Sequence, residues 1–422
     1  MNPSTNQPSK STPVKFSLIL ILGLLTAIGP FSIDMYLPAF PEIATGLHTS
    51  IAKVMLSLSS FFIGISLGQL VYGPLLERYG RKPPLYAGLV LYLLAAIGCS
   101  LAPTVESLIA FRFIQALGGC VGMVAARAIV RDLFDVNQNA KVFSMLMLVV
   151  AVSPIIAPTA GGYITATFGW RVVFWALVVI AIAILAGIYF ILPESKKPDP
   201  NFSLKAKPML KNYWSILQHP QFYTFAFTGA IAYGGLYAYV SGSPQVFMGV
   251  FAVSEKQFGW IFAAIAIGLI TASQINNRLL KKYSSEQIIM MALAFQSLIG
   301  IVLFSGAVLQ LLNLPLTITL IFLFLSCQGF IFPNASALTM AAFGHTAGSA
   351  SGLMGAIQLS VGALASAIVS KLENQTTLPM TGVMCFCASL ALFIFIAGRK
   401  MQIRKATLLA VEEEEVDMMG NL

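Results

Sequence analysis

A single carboxylate of this chain falls inside an apolar run. Of the 16 Asp and Glu residues, 15 lie in loops, at the ends of apolar runs or in the tail, and the exception is Asp34, in IDMYLPAFP. A charge at the centre of a bilayer costs at least about 2.5–3.5 kcal/mol on insertion scales, so such a residue calls for a partner and a use. Arg112 is expected at a similar depth and is the natural partner. Burial favours the protonated acid, and a guanidinium beside it favours the carboxylate. The balance can leave Asp34 able to take and release a proton near ambient pH. One proton crossing about 100 mV supplies about 2.3 kcal/mol. That would sustain roughly a fiftyfold gradient of a neutral solute at one-for-one exchange. A purely structural ion pair, or an Asp34 wetted at the surface, is the alternative.

Other chemistry is poorly supplied. No G-x-x-x-x-G-K-[ST] loop occurs, nor any Gly-Lys dipeptide, so ATP is not the expected energy source. His48, His219 and His345 are scattered in loops, with no metal-ligand spacing and no plausible Ser/His/Asp set. An enzyme, a metal site and a cofactor are therefore not expected. Cys385-x-Cys387 lacks a second pair or a nearby His, and reads as packing. Gly64-x-x-x-Gly68, Gly118-x-x-x-Gly122 and Gly348-x-x-x-Gly352 read as close helix packing rather than nucleotide loops. The second half carries uncharged polar and aromatic groups in its runs: Tyr233, Tyr237, Tyr239, Gln245, Gln274, Asn276, Gln328, Asn334 and Gln358. Apolar walls with a few such groups suit a small amphipathic ligand. Helix–helix hydrogen bonding is the alternative role for each.

The elements that must position these residues follow from composition. Hydrophobic residues make up 57% of the 422, charged residues only 10%, and mean hydropathy is +0.83. A soluble domain carries about 25% charge, so a soluble enzyme, a secreted disulfide scaffold and a disordered chain are excluded. The runs are continuous rather than alternating, which argues against an outer-membrane barrel. Twelve helices are predicted at roughly 16–37, 52–76, 84–102, 106–131, 141–165, 171–192, 221–248, 257–279, 287–311, 315–340, 348–372 and 379–398. The fold class is thus an all-α membrane protein.

Charge then orients the chain. The net charge of +9 is concentrated in short loops, which reflects the positive-inside rule rather than nucleic-acid binding. With both termini on one side, that side holds 19 Lys and Arg residues, against 4 on the other (Lys53, Arg171, Lys256 and Lys371). Both termini are therefore expected in the cytoplasm. The remaining two, Arg112 and Arg127, lie within span four. The segment Pro193–Pro220 is rich in Pro and Lys and divides the spans six against six. It reads as a cytoplasmic linker, with a short amphipathic helix near Met209–Leu217. The expected organisation is a terminus over 1–15, a bundle over 16–192, the linker over 193–220, a second bundle over 221–398 and a tail over 399–422. Glu412 to Glu415 and Asp417 make the tail acidic and solvated. The strings LLERYGRKPP and LLKKYSSEQI fall at matching places in the two halves, which suggests a repeat with a site between two similar bundles.

At these residues the chain resembles the major facilitator superfamily. GPLLERYGRK, Gly73–Lys82, is similar to its loop signature G-x-x-x-D-R-x-G-R-K, with Glu77 in the place of the usual Asp. The resemblance implies that this loop latches the two bundles on the cytoplasmic side. Gly80 would permit the turn, Arg78, Arg81 and Lys82 could pair with acids, and Asp132 is a plausible partner for Arg81. RFIQA, Arg112–Ala116, resembles the span-four signature R-x-x-Q-G, with Ala116 for Gly. SPIIAPTAGG, Ser153–Gly162, resembles the span-five antiporter signature ending G-P-x-x-G-G, with Ala157 for the first Gly. Pro154 and Pro158 should kink that span, and Gly161 and Gly162 should allow close approach. The segment Ile33–Pro41 resembles span one of the bicyclomycin-resistance and chloramphenicol/florfenicol efflux branch. In that branch the residues matching Asp34 and Arg112 are implicated in substrate and proton handling.

The resemblance implies a drug:proton antiporter with two pseudo-symmetric six-helix bundles in the bacterial inner membrane, driven by the proton gradient without a cofactor. The expected partners are a small-molecule drug, protons and the lipid bilayer, with no nucleic acid, and the expected state is a monomer. Asp34 and Arg112 would couple the proton. Asp34, Tyr36, Arg112, Gln115, Tyr233, Tyr237, Gln328 and Gln358 would bind substrate. Gly73, Glu77, Arg78, Gly80, Arg81, Asp132, Pro154, Pro158, Gly161 and Gly162 would form the conformational switch. One acid beside one Arg leaves the cavity near neutral, so neutral or zwitterionic drugs are expected over multivalent cations. A proton-linked transporter of a nutrient or metabolite is the alternative.

Overall fold

The structure, a computed structural model, describes residues 16–134, 136–200, 206–343 and 347–420. A backbone in hydrocarbon must satisfy its own hydrogen bonds, so long apolar runs fold as helices. The first bundle holds α1 (Phe16–Asp34), α2 (Phe40–Gly46), α3 (Ile51–Tyr79), α4 (Lys82–Ser100), α5 (Val105–Leu133), α6 (Val136–Phe168) and α7 (Trp170–Phe190). The connecting helix α8 spans Ala206–Leu217. The second bundle holds α9 (Pro220–Pro244), α10 (Glu255–Leu279), α11 (Ser285–Val308), α12 (Leu314–Ser326), α13 (Gln328–Met340), α14 (Ala347–Leu372) and α15 (Leu378–Gly420).

Eleven segments are long and apolar enough to cross a membrane. Two of them are composite: α1 with α2, over Phe16–Gly46, and α12 with α13, over Leu314–Met340. The helix α9 has matching length, 25 residues, but its Tyr, Thr, Ser and Gly residues make it less apolar. It completes twelve spans, six on each side of α8. The protein is a multi-pass membrane protein.

Helix ends carry the signals that stop hydrocarbon-length runs. Ser50, Ser254, Ser284 and Asn313 cap α3, α10, α11 and α12, and Thr104 with Ser107 forms a capping box on α5. Two boundaries differ from expectation. Span one is a single helix only to Asp34, followed by the 3-10 turn Leu37–Ala39 and then α2. Pro38 and Pro41 cannot donate backbone hydrogen bonds, so the ladder breaks there. Asp34 therefore lies within a 31-residue crossing rather than near its end. The last helix also runs on as α15 to Gly420 instead of ending near residue 398. Residues 1–15 and the acidic side chains Glu412 to Glu415 and Asp417 lie outside the described residues.

With twelve spans, the start of α1 at Phe16 and the end of the last crossing lie on one face, called the terminal face below. On the opposite face the two bundles are sealed. A Cβ added to Gly162 of α6 would fall onto the Glu255 carbonyl oxygen of α10, while one on Gly161 would fall onto the Met35 carbonyl oxygen within the first bundle. A Cβ on Gly259 of α10 would lie 2.9 Å from the Pro158 carbonyl oxygen of α6. The backbones of α6 and α10 thus touch directly. Beside them, α3 and α14 are joined by serines: Ser370 donates to the Ala52 carbonyl at 2.6 Å, Ser59 to Ser366 at 2.8 Å, and Ser66 to the Ala356 carbonyl at 2.9 Å. Ser366 continues to Ser241 of α9 at 2.9 Å.

Towards the terminal face the same two helices part. Gly355 is pressed against the Gln69 side chain, and a Cβ on Gly352 would sit 3.9 Å from the Gln69 carbonyl oxygen. At Gly73, one turn further, a Cβ would meet nothing within 4 Å. The bundles thus meet backbone to backbone on one face, and beside Gly73, towards the other, there is open space.

Candidate functional site

Arg112 is locked inside the first bundle. It is 0% exposed and lies on α5. Its guanidinium donates to Gln115 Oε1 at 2.7 Å and to the Ser32 carbonyl oxygen at 3.0 Å. It stacks over Phe61 at 4.0 Å and over Tyr36 at 4.6 Å, with Phe174 at 6.0 Å. Such contacts contribute up to about 2 kcal/mol when desolvated. Tyr36 is itself held, its hydroxyl sharing a hydrogen bond with Ser57 at 2.7 Å. Ser32 is braced by Tyr92 at 2.6 Å. The Arg112 Nε and the Gln115 amide nitrogen are buried without a hydrogen-bond partner. Tyr36, Arg112 and Gln115 are all fully buried, so in this conformation they form a packed polar cage and not a cavity wall.

Asp34 stands apart from that cage. It is 6% exposed. Among the described residues it forms no ion pair and no hydrogen bond; both terminal nitrogens of Arg112 donate to other partners. The expected direct pairing is thus not made. Ser32, two residues earlier and so on nearly the opposite side of α1, supplies the carbonyl that Arg112 takes. Asp34 instead lies within electrostatic reach of the hydroxyls of Tyr233, Tyr237 and Tyr239, on α9 of the other bundle. Tyr233 and Tyr237 pack ring to ring at 5.4 Å. Tyr237 also meets Phe62 of α3 at 4.6 Å, and Tyr233 meets Phe332 at 4.9 Å. An acid from one bundle and tyrosines from the other therefore share the seam.

Gln328 is buried and donates to the Ala232 carbonyl at 2.5 Å, bracing α9 from the start of α13. Its Oε1 is buried without a partner. Gln358 lines a small recess with Phe332, Ser336 and Met354. Asn334 donates to Asn276 at 2.7 Å, a helix–helix bond. A separate groove of about 720 Å³ runs between α9, α11, α14 and α15. It contains none of these residues, and its Leu364 and Phe386 are exposed on the outside of the bundle.

The α3–α4 loop makes a second polar centre at the terminal face. Gly80 has φ +81°, a conformation that favours glycine, and a Cβ there would lie 3.0 Å from the Lys196 carbonyl oxygen. Arg81 is 1% exposed. It grips Asp132 through Nε at 2.7 Å and NH2 at 3.3 Å, and Glu77 at 3.2 Å. Burial alone would weaken its charge, but the Asp132 and Glu77 carboxylates more than offset this and hold Arg81 above its ordinary pKa. Glu77 also pairs with Lys196 and, at 3.7 Å, with Arg131. The carboxylate of Glu194 accepts from the backbone N–H groups of Arg81 at 2.8 Å and Lys82 at 3.1 Å. It thereby covers the N-terminus of α4. Ser195 donates to Asp132 at 3.0 Å, and Arg78 to the Pro200 carbonyl. This centre lies within the first bundle and the start of the linker. Pro154 and Pro158 lie inside α6, just ahead of Gly161 and Gly162 at the seal.

Sequence reasoning did not find the aromatic cage of Arg112, the linker residues Glu194 to Lys196, or the serine ladder. Only the ladder carried a signal: Ser59 and Ser66 are seven residues apart, on one face of a helix.

Residues 22–367 match the sequence profile of the Major Facilitator Superfamily. The chain is 33% identical over 391 residues to a bicyclomycin resistance protein homolog of Haemophilus influenzae, covering 92% of this chain and 98% of that one. It is 28% identical over 407 residues to a chloramphenicol resistance protein of Pseudomonas aeruginosa, covering 91% of each. Its fold resembles the crystal structure of a bacterial homolog of the human lysosomal transporter Spinster, in an inward-facing and occupied conformation. That match has TM-score 0.71 at 14% identity and covers 92% of this chain and 98% of that one.

Proposed function

The chain belongs to the Major Facilitator Superfamily, and from that premise we propose that it exports small neutral or zwitterionic drugs, of the phenicol or bicyclomycin type, in exchange for protons. It is a transporter and not an enzyme. In this reading the terminal face is cytoplasmic, the membrane is the bacterial inner membrane, the protein works as a monomer, and the proton gradient alone drives the cycle.

The observation that carries the reading is the place of Asp34. It is the acid at the seam, opposite Tyr233, Tyr237 and Tyr239 of the partner bundle, and Arg112 does not neutralise it. Rocking the bundles changes what faces Asp34. A bare carboxylate is costly in a dry seam and cheap beside water. Proton binding therefore favours the sealed arrangement, and opening towards the far side favours release. A drug lodged against the tyrosines would compete with the proton for the same place. The two relatives named for bicyclomycin and chloramphenicol resistance support the substrate class.

The test is drug-triggered proton release from purified protein in detergent near neutral pH, for wild type and Asp34→Asn. The additions are chloramphenicol, florfenicol, bicyclomycin and one lipophilic cation. Release by wild type with one of the first three, and none by the variant, is expected. Silence from folded wild type with every drug would move nutrient or metabolite transport to the front, and release by the lipophilic cation alone would reverse the charge preference.

A further inference from the structure

The groove between α14 and α15 belongs to neither polar centre. These helices are consecutive and antiparallel, joined over residues 373–377, yet a cleft separates them. Both are seated on α9 instead. A Cβ on Gly234 of α9 would lie 3.1 Å from Val361 of α14 and 3.1 Å from the Cys387 sulfur of α15. One on Gly242 would lie 2.8 Å from Met380 of α15 and 3.2 Å from Val369 of α14. Two small residues on one helix thus draw in both neighbours, as small residues do between helices in a membrane. Outside α9 this leaves a slot of about 720 Å³, with Phe227 and Ile231 of α9 as its floor and Phe304 of α11 beside it.

The extent of the slot matches one leaflet. Its lining runs from Leu378 to Leu390 on α15 and from Val361 to Leu372 on α14. At a rise of about 1.5 Å per residue these walls are about 18 Å and about 17 Å long. Half of a hydrocarbon core of about 30 Å is about 15 Å. The slot begins at the joint 373–377, on the face opposite the terminal face. It ends near the level of Gly234, close to the middle of the 25-residue α9.

Its chemistry is graded the same way. Apart from the Cys387 thiol, Asn374 is the one polar side chain in the lining, and it stands at the mouth. Lys371 is exposed beside it and forms no ion pair among the described residues. Both α14 and α15 cross the membrane, so the medium around the slot is hydrocarbon. A helix of a second copy is too thick to enter. Over about 17 Å the volume allows a cross-section of about 40 Å², against about 80 Å² for a helix about 10 Å across. Lipid tails are as apolar as leucine, so the hydrophobic effect gives no preference for the slot. Fixed walls on three sides do, through dispersion contacts.

We propose that this groove binds an acyl chain of a phospholipid from the leaflet opposite the terminal face, with the headgroup at Asn374 and Lys371. The site stands independently of the transport reading.

The test is photolabelling of full-length protein in vesicles of phosphatidylethanolamine and phosphatidylglycerol, with a trace of phospholipid carrying a diazirine on its acyl chain. Adducts are located by peptide mass spectrometry. Val179 of α7 is the control, because its exposure of 65% matches the 63% of Leu364 and of Phe386. It also lies at a similar depth, about 13 Å from the start of α7. Adducts at Leu364 and Phe386 should exceed those at Val179 about tenfold. Two variants fill the slot from opposite walls: Ala365→Phe on α14, and Gly382→Leu on α15, where a Cβ meets only the Phe304 ring, at 3.3 Å. Each should cut the groove adducts about tenfold and leave those at Val179 unchanged. Equal labelling of the three positions in wild type overturns the proposal, and so do undiminished groove adducts in a variant with normal Val179 adducts. Displacement of the groove adducts by excess chloramphenicol would give the slot to a lipophilic drug, and wild-type dimers cross-linked through Phe386 would give it to a second copy; either result overturns it as well.

Discussion

Asp34 and Arg112 belong to the same bundle and do not pair. Arg112 is held by Gln115, the Ser32 carbonyl and the faces of Phe61 and Tyr36. Asp34 faces tyrosines of the other bundle. The two charges should therefore respond separately to substitution. Asp34→Asn keeps the volume and removes the proton site. It should insert and fold, bind drug, and lose export against a gradient. Uphill export at the wild-type rate in proteoliposomes would remove Asp34 from the mechanism.

Arg112→Lys should act on stability first. An ammonium cannot reach both oxygen acceptors and lie flat on Phe61. One charged hydrogen bond is worth about 1.5–3 kcal/mol and the stack up to about 2. A loss on the order of 3 kcal/mol should appear as a clear fall in melting temperature in detergent. A variant as stable as wild type would show that the cage is not structural.

Gly162→Val should hold the sealed face apart, because its Cβ would occupy the place of the Glu255 carbonyl oxygen. Transport should fall at least tenfold at normal expression, with thiols placed at Glu255 becoming accessible from the far side. Wild-type accessibility in the variant would argue against the α6–α10 seal as the moving contact.

Arg81→Ala leaves Asp132 without its bidentate partner, whereas Glu77 keeps Lys196 and Arg131. Breaking one side of a buried pair costs about 3–5 kcal/mol, and the lower end applies because Asp132 and Glu77 are partly exposed, at 14% and 24%. Cycling should suffer more than equilibrium drug binding. A loss of affinity with normal turnover would contradict that.

The serine ladder predicts a graded effect. Interhelical hydrogen bonds in membranes average about 0.6 kcal/mol. Ser66→Ala alone should barely shift the closed state, whereas Ser59→Ala, Ser66→Ala and Ser370→Ala together should shift it by about 2 kcal/mol. Distances between spin labels on α3 and α14 would read the population. A full effect from any one serine would mean that it does more than hold the helices.

The membrane made most of the fold legible. Continuous apolar runs and the bias of Lys and Arg fix the spans and the six-plus-six division, because hydrocarbon tolerates no other backbone. Depth was legible as well, which is why Asp34 and Arg112 could be placed near one level. Rotation about each helix was not. Whether Arg112 turns to Asp34 or to Ser32 depends on how Gly118, Gly119 and Gly122 let α5 settle against α4 and α1. The break at Pro38 and Pro41 also shifted Asp34, and only its position relative to α9 gives it tyrosine neighbours. The linker contacts were hidden for another reason: Glu194 and Lys196 read as solvated charges until the α3–α4 loop is folded against them.

The seal between α6 and α10 is made of main chain. Side chains only flank it, Thr159 towards the Gly259 carbonyl at 3.5 Å and Lys256 over the Tyr163 ring at 5.3 Å. The surfaces proposed to meet a ligand lie elsewhere, on α9, α13 and α14, built from tyrosine, phenylalanine and glutamine. Mutation can redraw the range of compounds accepted while the closing contact stays as it is. If the proposed export holds, a lineage under changing chemical attack would acquire new resistances by single substitutions in the second bundle, without rebuilding its gate.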